Sequence, residues 1–311
     1  MIITVTLNTA VDAAATLDRL ELGGVNRSNA LQMFPGGKGV NVAKAIAALG
    51  GDVVATGYVG RGPVGAFLLR ALSDMGVRHD FMALDGDTRL TFLLYDESSG
   101  AETIVNNPAG YSVSQGEFEG LVQKVSALAG PEDLVVLSGS VAAGCGADAY
   151  ARLIRAARRS GARPVLDTSG EALAAGLRAR PFMVKPTARE LSELLGRDLQ
   201  ARDALLAAAR HIRDGGVEIV VVSLGASGAV AVSGTETYLV RPPVVHVVSA
   251  IGAGDAMVAG MALSLSRGDP LDEALRLGTA AAASSLLRHG AGMCTMVETQ
   301  RLMSEVSVVR L

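Results

Sequence analysis

One pattern limits what this chain can fold into: short Val- and Ile-rich runs alternate with longer Ala- and Leu-rich stretches of helical period. Residues 2–7, 53–59, 134–137, 164–166, 182–184 and 219–222 carry no charged residue, as expected of strands buried on both faces. Residues 40–49, 64–75, 115–128, 147–159 and 202–214 carry helical patterns. In 147–159, Tyr150, Leu153, Ile154 and Ala157 recur at steps of three and four, while Arg152, Arg155 and Arg159 face elsewhere. Such alternation predicts an α/β fold with a mostly parallel sheet covered by helices on both sides. Sheets of this kind bind ligands at the carboxyl ends of their strands.

Residues 12–34 and 88–106 break the alternation with strand-like composition and polar turns. Within the second stretch, residues 89–95, a turn at 97–100 and residues 102–105 predict a hairpin. Together the two stretches suggest a small β-layer in a lid-like position; the plainer alternative is two surface insertions. There is no internal repeat, low-complexity tract or Pro/Ser-rich linker, so a single domain over residues 1–311 is expected.

Composition removes several classes of function. Lys and Arg number 28 against 31 Asp and Glu, a formal net charge of −3, so no global basic field attracts nucleic acid. An anion must therefore be held by a local site. Two cysteines, Cys145 and Cys294, cannot build a disulfide framework or a four-thiolate zinc site, and a reduced, cytoplasmic setting is expected. With no Trp and 4% aromatics, base-stacking platforms are not expected. Apolar residues make up 49%, yet the longest uncharged stretch, 219–235, is broken by Ser and Gly. It predicts two strands around a turn rather than a membrane span. The opening MIITVTLN lacks the basic region of a secretory signal, so no membrane partner is expected.

Two glycine-rich segments carry the chemistry. In IGAGDAMVAG, residues 251–260, Gly252 and Gly254 let backbone N–H groups converge at a helix start and form an anion hole. Asp255 falls in the first turn, where the helix dipole favours its ionised form. A carboxylate there repels a phosphate, but it makes chemical sense as a base for a nucleophile attacking that phosphate. A plain turn, with Asp255 stabilising the helix terminus, is an equally open reading of these residues. The second segment, GGKGVNVA over residues 36–43, is not a Walker A loop, because Gly39 follows Lys38. Gly36 and Gly37 would admit a small polar ligand and Asn41 would bind its hydroxyls, though an isolated GGKG is more often a tight turn.

GGKGVNVAKAIAALG and IGAGDAMVAGMALSLSRG resemble the two signature segments of the PfkB (ribokinase-like) carbohydrate kinases, in the same order. LVVLSGSVAAG, VLDTSGEAL, VKPTARELSELLG and IVVVSLGASGAVAV are similar to its hexose-phosphate branch, and the likeness spans essentially the whole chain. The resemblance implies a three-layer α/β/α sandwich with a small β-sheet lid. It also implies ATP- and Mg2+-dependent phosphoryl transfer to a phosphorylated ketohexose, with fructose 1-phosphate ahead of tagatose 6-phosphate and fructose 6-phosphate. By that likeness Asp255 is the catalytic base, and the amides of Gly252, Ala253 and Gly254 stabilise the transferring group. Asp12, Gly36, Gly37 and Asn41 would hold the sugar hydroxyls, with Ser138 beside them. Arg89 would bind the existing phosphate, and Arg27 is a second candidate that reaches from the lid or a neighbouring subunit.

Lys185, Ser223, Leu224 and Gly225 would hold the nucleotide, with the turn 289–292 and the helix after Leu271 flanking its adenine. The family's Asn-x-x-Glu magnesium motif appears here as Thr187-Ala188-Arg189-Glu190. Glu190 is the magnesium-shell candidate. Thr187 is the weaker one, because it is shorter than Asn and Thr-x-x-Glu is also a helix capping box. Val141-Ala142-Ala143 replaces the usual Leu-Pro-Pro, which loosens the loop after Ser138. Alternation of Leu90, Phe92 and Leu94 with polar positions predicts a homodimer through the lid. Two further readings are a kinase for an unphosphorylated sugar or nucleoside and a non-catalytic sugar-phosphate-binding regulator.

Overall fold

The computed structural model describes every residue except Gln200. In chain order the strands are β1 (Ile2–Thr6), β2 (Ala10–Leu17), β3 (Ala30–Gly36), β4 (Val53–Gly60), β5 (Arg78–Leu84), β6 (Arg89–Asp96) and β7 (Ala101–Asn106). They continue as β8 (Leu134–Ser138), β9 (Arg163–Asp167), β10 (Met183–Val184), β11 (Ile219–Ser223), β12 (Ala229–Ser233), β13 (Glu236–Arg241) and β14 (Ser307–Arg310). The helices are α1 (Lys38–Ala48), α2 (Pro63–Asp74), α3 (Gln115–Leu128), α4 (Ala149–Arg159) and α5 (Gly170–Arg178). After them come α6 (Ala188–Leu195), α7 (Arg202–Asp214), α8 (Ala253–Ser266), α9 (Leu271–Ser285) and α10 (Met296–Met303).

Ten strands form one sheet in the order β14-β13-β12-β11-β10-β9-β8-β1-β4-β5. From β5 to β11 every pairing is parallel, and β12, β13 and β14 close the edge antiparallel. Successive residues point to opposite faces, so each strand feeds two cores. On β8, Leu134 and Val136 join the core containing α1, α8 and α9, whereas Val135 and Leu137 join the one containing α3, α4 and α7. The uncharged runs are strands packed between helices, and so apolar on both sides. The order of strand addition reverses between β1 and β8: from β1 the sheet grows outward to β4 and β5, and from β8 towards β11. That reversal opens a crevice at the carboxyl ends, and the register Ser138↔Asp167 brings the ends of β8 and β9 level there.

A second sheet of four strands runs β3-β2-β6-β7. The hairpin expected at 89–105 is β6 and β7, paired antiparallel. Its two faces differ. Ala14, Leu93 and Tyr95 are buried with Phe34 and Ile251 against the main body. On the other face Leu31 is 64% exposed, and Met33, Phe92 and Val105 are also open.

Residues 244–248, an apolar run that leads towards α8, form no strand, and Val244 is 98% exposed. Pro242 and Pro243 follow β13, and a proline pair has no N–H to continue a ladder. Among the described residues no helix is long and apolar enough to cross a membrane.

Candidate active site

The crevice gathers the ends of several elements. Ser138 ends β8, Asp167 ends β9, Lys185 follows β10, and the first turns of α1 and α8 point in from the other core. A cavity of about 500 Å³ opens above them, lined by Asn8, Lys38, Arg89, Ser140, Thr168 and Glu190 among others.

Asp255 is buried in the first turn of α8. Gly252 precedes that helix with φ 80°, and a Cβ there would sit 2.5 Å from the Gly292 nitrogen, so only glycine fits. The Asn41 side-chain amide donates to Asp255 Oδ2 at 2.9 Å, and Lys38 Nζ lies 3.8 Å from Oδ1. Burial raises the Asp255 carboxyl above its usual range, with Lys38 opposing. The expected anion hole differs in one member: the Ala253 N–H turns back to the Ala250 carbonyl at 3.4 Å. Among the described residues, the amides without such a partner are those of Gly252, Gly254 and Asp255.

Beneath this helix start lies a charge cluster that the sequence does not announce. Asp167 is fully buried, 2.8 Å from Lys38 Nζ and 3.4 Å from Lys185 Nζ. Burial opposes its ionisation, but Lys185 and Lys38 outweigh that and hold its carboxyl below the ordinary range. Lys185 Nζ also lies 3.4 Å from where a Cβ on Gly254 would be, so it sits under the anion hole. Ser138 is corrected here. Its hydroxyl is buried and donates to Asp167 Oδ2 at 3.3 Å, while Gly139 and Ser140 form the cavity wall instead.

On the side of the smaller sheet, Asp12 of β2 is buried against Gly36 of β3; a Cβ at Gly36 would lie 2.6 Å from its Oδ2. Burial raises the Asp12 carboxyl, with Lys44 and Arg89 opposing. Gly37, at the start of α1, has φ 96°. Lys44 donates to the Pro35 carbonyl at 2.6 Å, and burial lowers its ammonium to about 8 against the pull of Asp12 and Asp255. Arg89 donates through Nη1 to Asn106 Oδ1 at 3.1 Å and Thr91 Oγ1 at 3.2 Å. Its buried Nε has no partner among the described residues. Arg27 is not brought in: it is exposed in the loop between β2 and β3, away from the cavity wall.

Residues 5–298 match the pfkB family of carbohydrate kinases. The chain belongs to that family. It is 41% identical over 286 residues to 1-phosphofructokinase of Rhodobacter capsulatus, covering 92% of this chain and 90% of the relative. To 1-phosphofructokinase of Bacillus subtilis it is 33% identical over 311 residues, covering 100% of both. A crystal structure of phosphofructokinase-2 from Escherichia coli superposes with a TM-score of 0.92 at 35% identity, covering 98% of each chain. The fold is the ribokinase-like α/β sandwich of these kinases.

In this kinase a second cavity of about 610 Å³ is lined by Thr187, Ser223, Leu224, Gly225 and Arg241, among others. The first turn of α6 separates it from the first cavity. Thr187 Oγ1 accepts the Glu190 N–H at 3.1 Å and Glu190 Oε2 accepts the Thr187 N–H at 2.8 Å, a complete capping box. The Thr187 hydroxyl is thus a cap, whereas Glu190 borders the first cavity. Among the described residues, no three His, Cys, Asp or Glu side chains form a metal cage. The turn at 289–292 faces the smaller sheet: His289 packs on Tyr95 with ring centroids 4.1 Å apart.

Lys38 and Asp167 are the site residues that the sequence left unmarked. One signal could have found Asp167: it follows the uncharged run 164–166 at a strand's carboxyl end, where ligand sites of parallel sheets lie. Lys38 stood inside GGKG, but a spacing that fails the Walker pattern gave it no role.

Proposed function

We propose that this kinase transfers the terminal phosphoryl group of ATP to a hydroxyl of fructose 1-phosphate, forming fructose 1,6-bisphosphate, with Asp255 as the base. The observation that carries this reading is a pairing: a buried carboxylate beside free helix-terminal amides, next to a cavity whose wall includes the Arg89 guanidinium. The relatives named 1-phosphofructokinase support the same acceptor.

Asp255 takes the proton of the acceptor hydroxyl as that oxygen bonds to the terminal phosphorus. The bond from phosphorus to the bridging oxygen breaks, and ADP carries away the electron pair. Charge on the moving group is met by the amides of Gly252, Gly254 and Asp255. Oriented donors need no rearrangement at the moment of transfer. Asn41 fixes the carboxylate of Asp255 through its 2.9 Å bond. Asp12, Gly36 and Gly37 border the acceptor, and Arg89 pairs with its phosphate as a planar fork suited to an oxyanion.

ATP supplies the phosphoryl group and magnesium shields its charge. Glu190, the carboxylate that borders the cavity, would hold a magnesium ion carried by the nucleotide phosphates from the protein side. Ser223, Leu224 and Gly225 line the second cavity as the nucleotide wall, and Lys185 supports the anion hole from below.

The whole chain acts as one domain in which the smaller sheet is a lid. Its open apolar face pairs two copies into a homodimer, which would also give Arg27 a neighbouring site to reach. The cytoplasm is the setting that ATP and a sugar phosphate require. A coupled ADP-release assay across fructose 1-phosphate, fructose 6-phosphate, tagatose 6-phosphate and fructose tests the reading. Fructose 1-phosphate should have the highest kcat/KM, and faster turnover of plain fructose would overturn it.

A further inference from the structure

Lys38 stands in a position that the chemistry so far does not use. It is the first residue of α1 and lines the cavity with its side chain 39% exposed, whereas Lys44 and Lys185 are buried. Its ammonium lies 2.8 Å from Asp167 Oδ2 and 3.8 Å from Asp255 Oδ1. An ammonium has three N–H donors, so the bond to Asp167 leaves two for something else. Asp167 itself is locked: it is fully buried between Lys38, Lys185 and the Ser138 hydroxyl. A cation anchored by an immobile carboxylate and held at the edge of a base, beside an anion hole, is placed for an anion that meets both.

We propose that Lys38 is a catalytic residue that binds the phosphoryl group during its transfer, and that Asp167 is the positioning residue that holds Lys38 there. This rests on Asp255 acting as the base in phosphoryl transfer. In the transition state, charge spreads over the three equatorial oxygens of the moving group, and a fixed ammonium stabilises it more than the ground state. The P–O bonds made and broken are those already described; Lys38 keeps its proton throughout.

A second consequence separates this role from mere scaffolding. Asp255 is faced by Lys38, Asn41 and Lys44 from α1, by Asp167 from the end of β9 and by Lys185 after β10. Burial raises its carboxyl, Lys38 lowers it and Asp167 raises it. Removing Lys38 should therefore move the acidic limb of the kcat/KM profile to higher pH, and removing the Asp167 charge should move it to lower pH.

The test measures pH profiles of wild type, Lys38→Met, Lys38→Arg, Asp167→Asn and Asp255→Asn. Calorimetric affinities for a non-hydrolysable ATP analogue and for ADP are measured beside them. Lys38→Met should lose about 10²-fold in kcat, shift the limb upward and weaken the triphosphate analogue about tenfold, with ADP affinity within twofold of wild type. Lys38→Arg should return the limb to its wild-type position, because the charge is restored. Asp167→Asn should lower kcat with the opposite limb shift; if it does not fold, the two Lys38 variants decide alone. Turnover of Lys38→Met within threefold of wild type, an unmoved limb, or equal loss of ADP and analogue binding each overturns the proposal. Full activity in Asp255→Asn would instead remove the reading of the reaction on which it stands.

Discussion

The two sheets of this kinase solve opposite problems. The central strands of the large sheet are buried on both faces, and Asp167, Lys185, Lys38 and Asp255 meet at their carboxyl ends. There each charge has a partner, because an unpaired ion in such a core is costly. The small sheet buries one face and leaves Leu31, Met33, Phe92 and Val105 open. Its polar contribution to the site is Asp12 and Arg89, at the ends of β2 and β6 nearest the crevice. The difference teaches a division of labour: rigid, over-determined geometry where bonds change, and a half-finished surface where the acceptor is recognised and a second copy can pair.

The division predicts a graded set of losses. Asp255→Asn strikes the large sheet's chemistry and should lower kcat by about 10³-fold or more with little change in KM; activity near wild type would break the comparison at its centre. Lys44 is the seam, bonded to Pro35 of the small sheet and drawn to both Asp12 and Asp255. Its ammonium is at about 8 when folded, against 10.5 when exposed. Between those values the unfolded chain holds the proton that the folded chain has released, so stability should rise with pH. Below pH 8 the full penalty, roughly 3 kcal/mol, is present. Urea unfolding from pH 7.5 to 10.5 should show that rise, and Lys44→Met should flatten it.

On the small sheet, Arg89→Ala should raise KM for fructose 1-phosphate by about tenfold to 10²-fold while leaving kcat/KM for plain fructose nearly unchanged. An equal loss on both sugars would move Arg89 from recognition to structure. Phe92→Lys should raise the dimer dissociation constant by about tenfold, read by sedimentation at several concentrations. A dimer as tight as wild type would mean that another surface pairs the copies. The smallest effect is outside both sheets: Thr187→Ala removes the cap of α6 and should lower unfolding free energy by about 1 kcal/mol. A tenfold loss of magnesium-dependent activity in that variant would instead make Thr187 part of the metal's surroundings.

Much of the frame can be read from residue order. Helices α3 and α7 begin and end where their periodicity places them, and the β6–β7 hairpin follows from its turn. The Thr187–Glu190 box is also legible, since both partners lie within one turn. The failures share a cause. Ser138 ends its strand as expected, yet whether its hydroxyl faces the cavity or Asp167 depends on β9, distant in sequence. Ala253 belongs to the right glycine-rich turn, but the backbone path decides which N–H groups stay free. His289 has no local pattern at all, and its packing on Tyr95 exists only once the small sheet covers the turn.

Sequence alone determined the element types, the parallel sheet and the two glycine-led helix starts, because periodicity, capping and glycine's freedom act over a few residues. Tertiary structure decided which charges share one site. Lys38 and Asp167 lie 129 positions apart in the chain, and Asp255 another 88 beyond, yet Lys38 stands 2.8 and 3.8 Å from the two carboxylates. Coulomb energy depends on distance through the fold and on burial, and neither quantity is written in the order of residues.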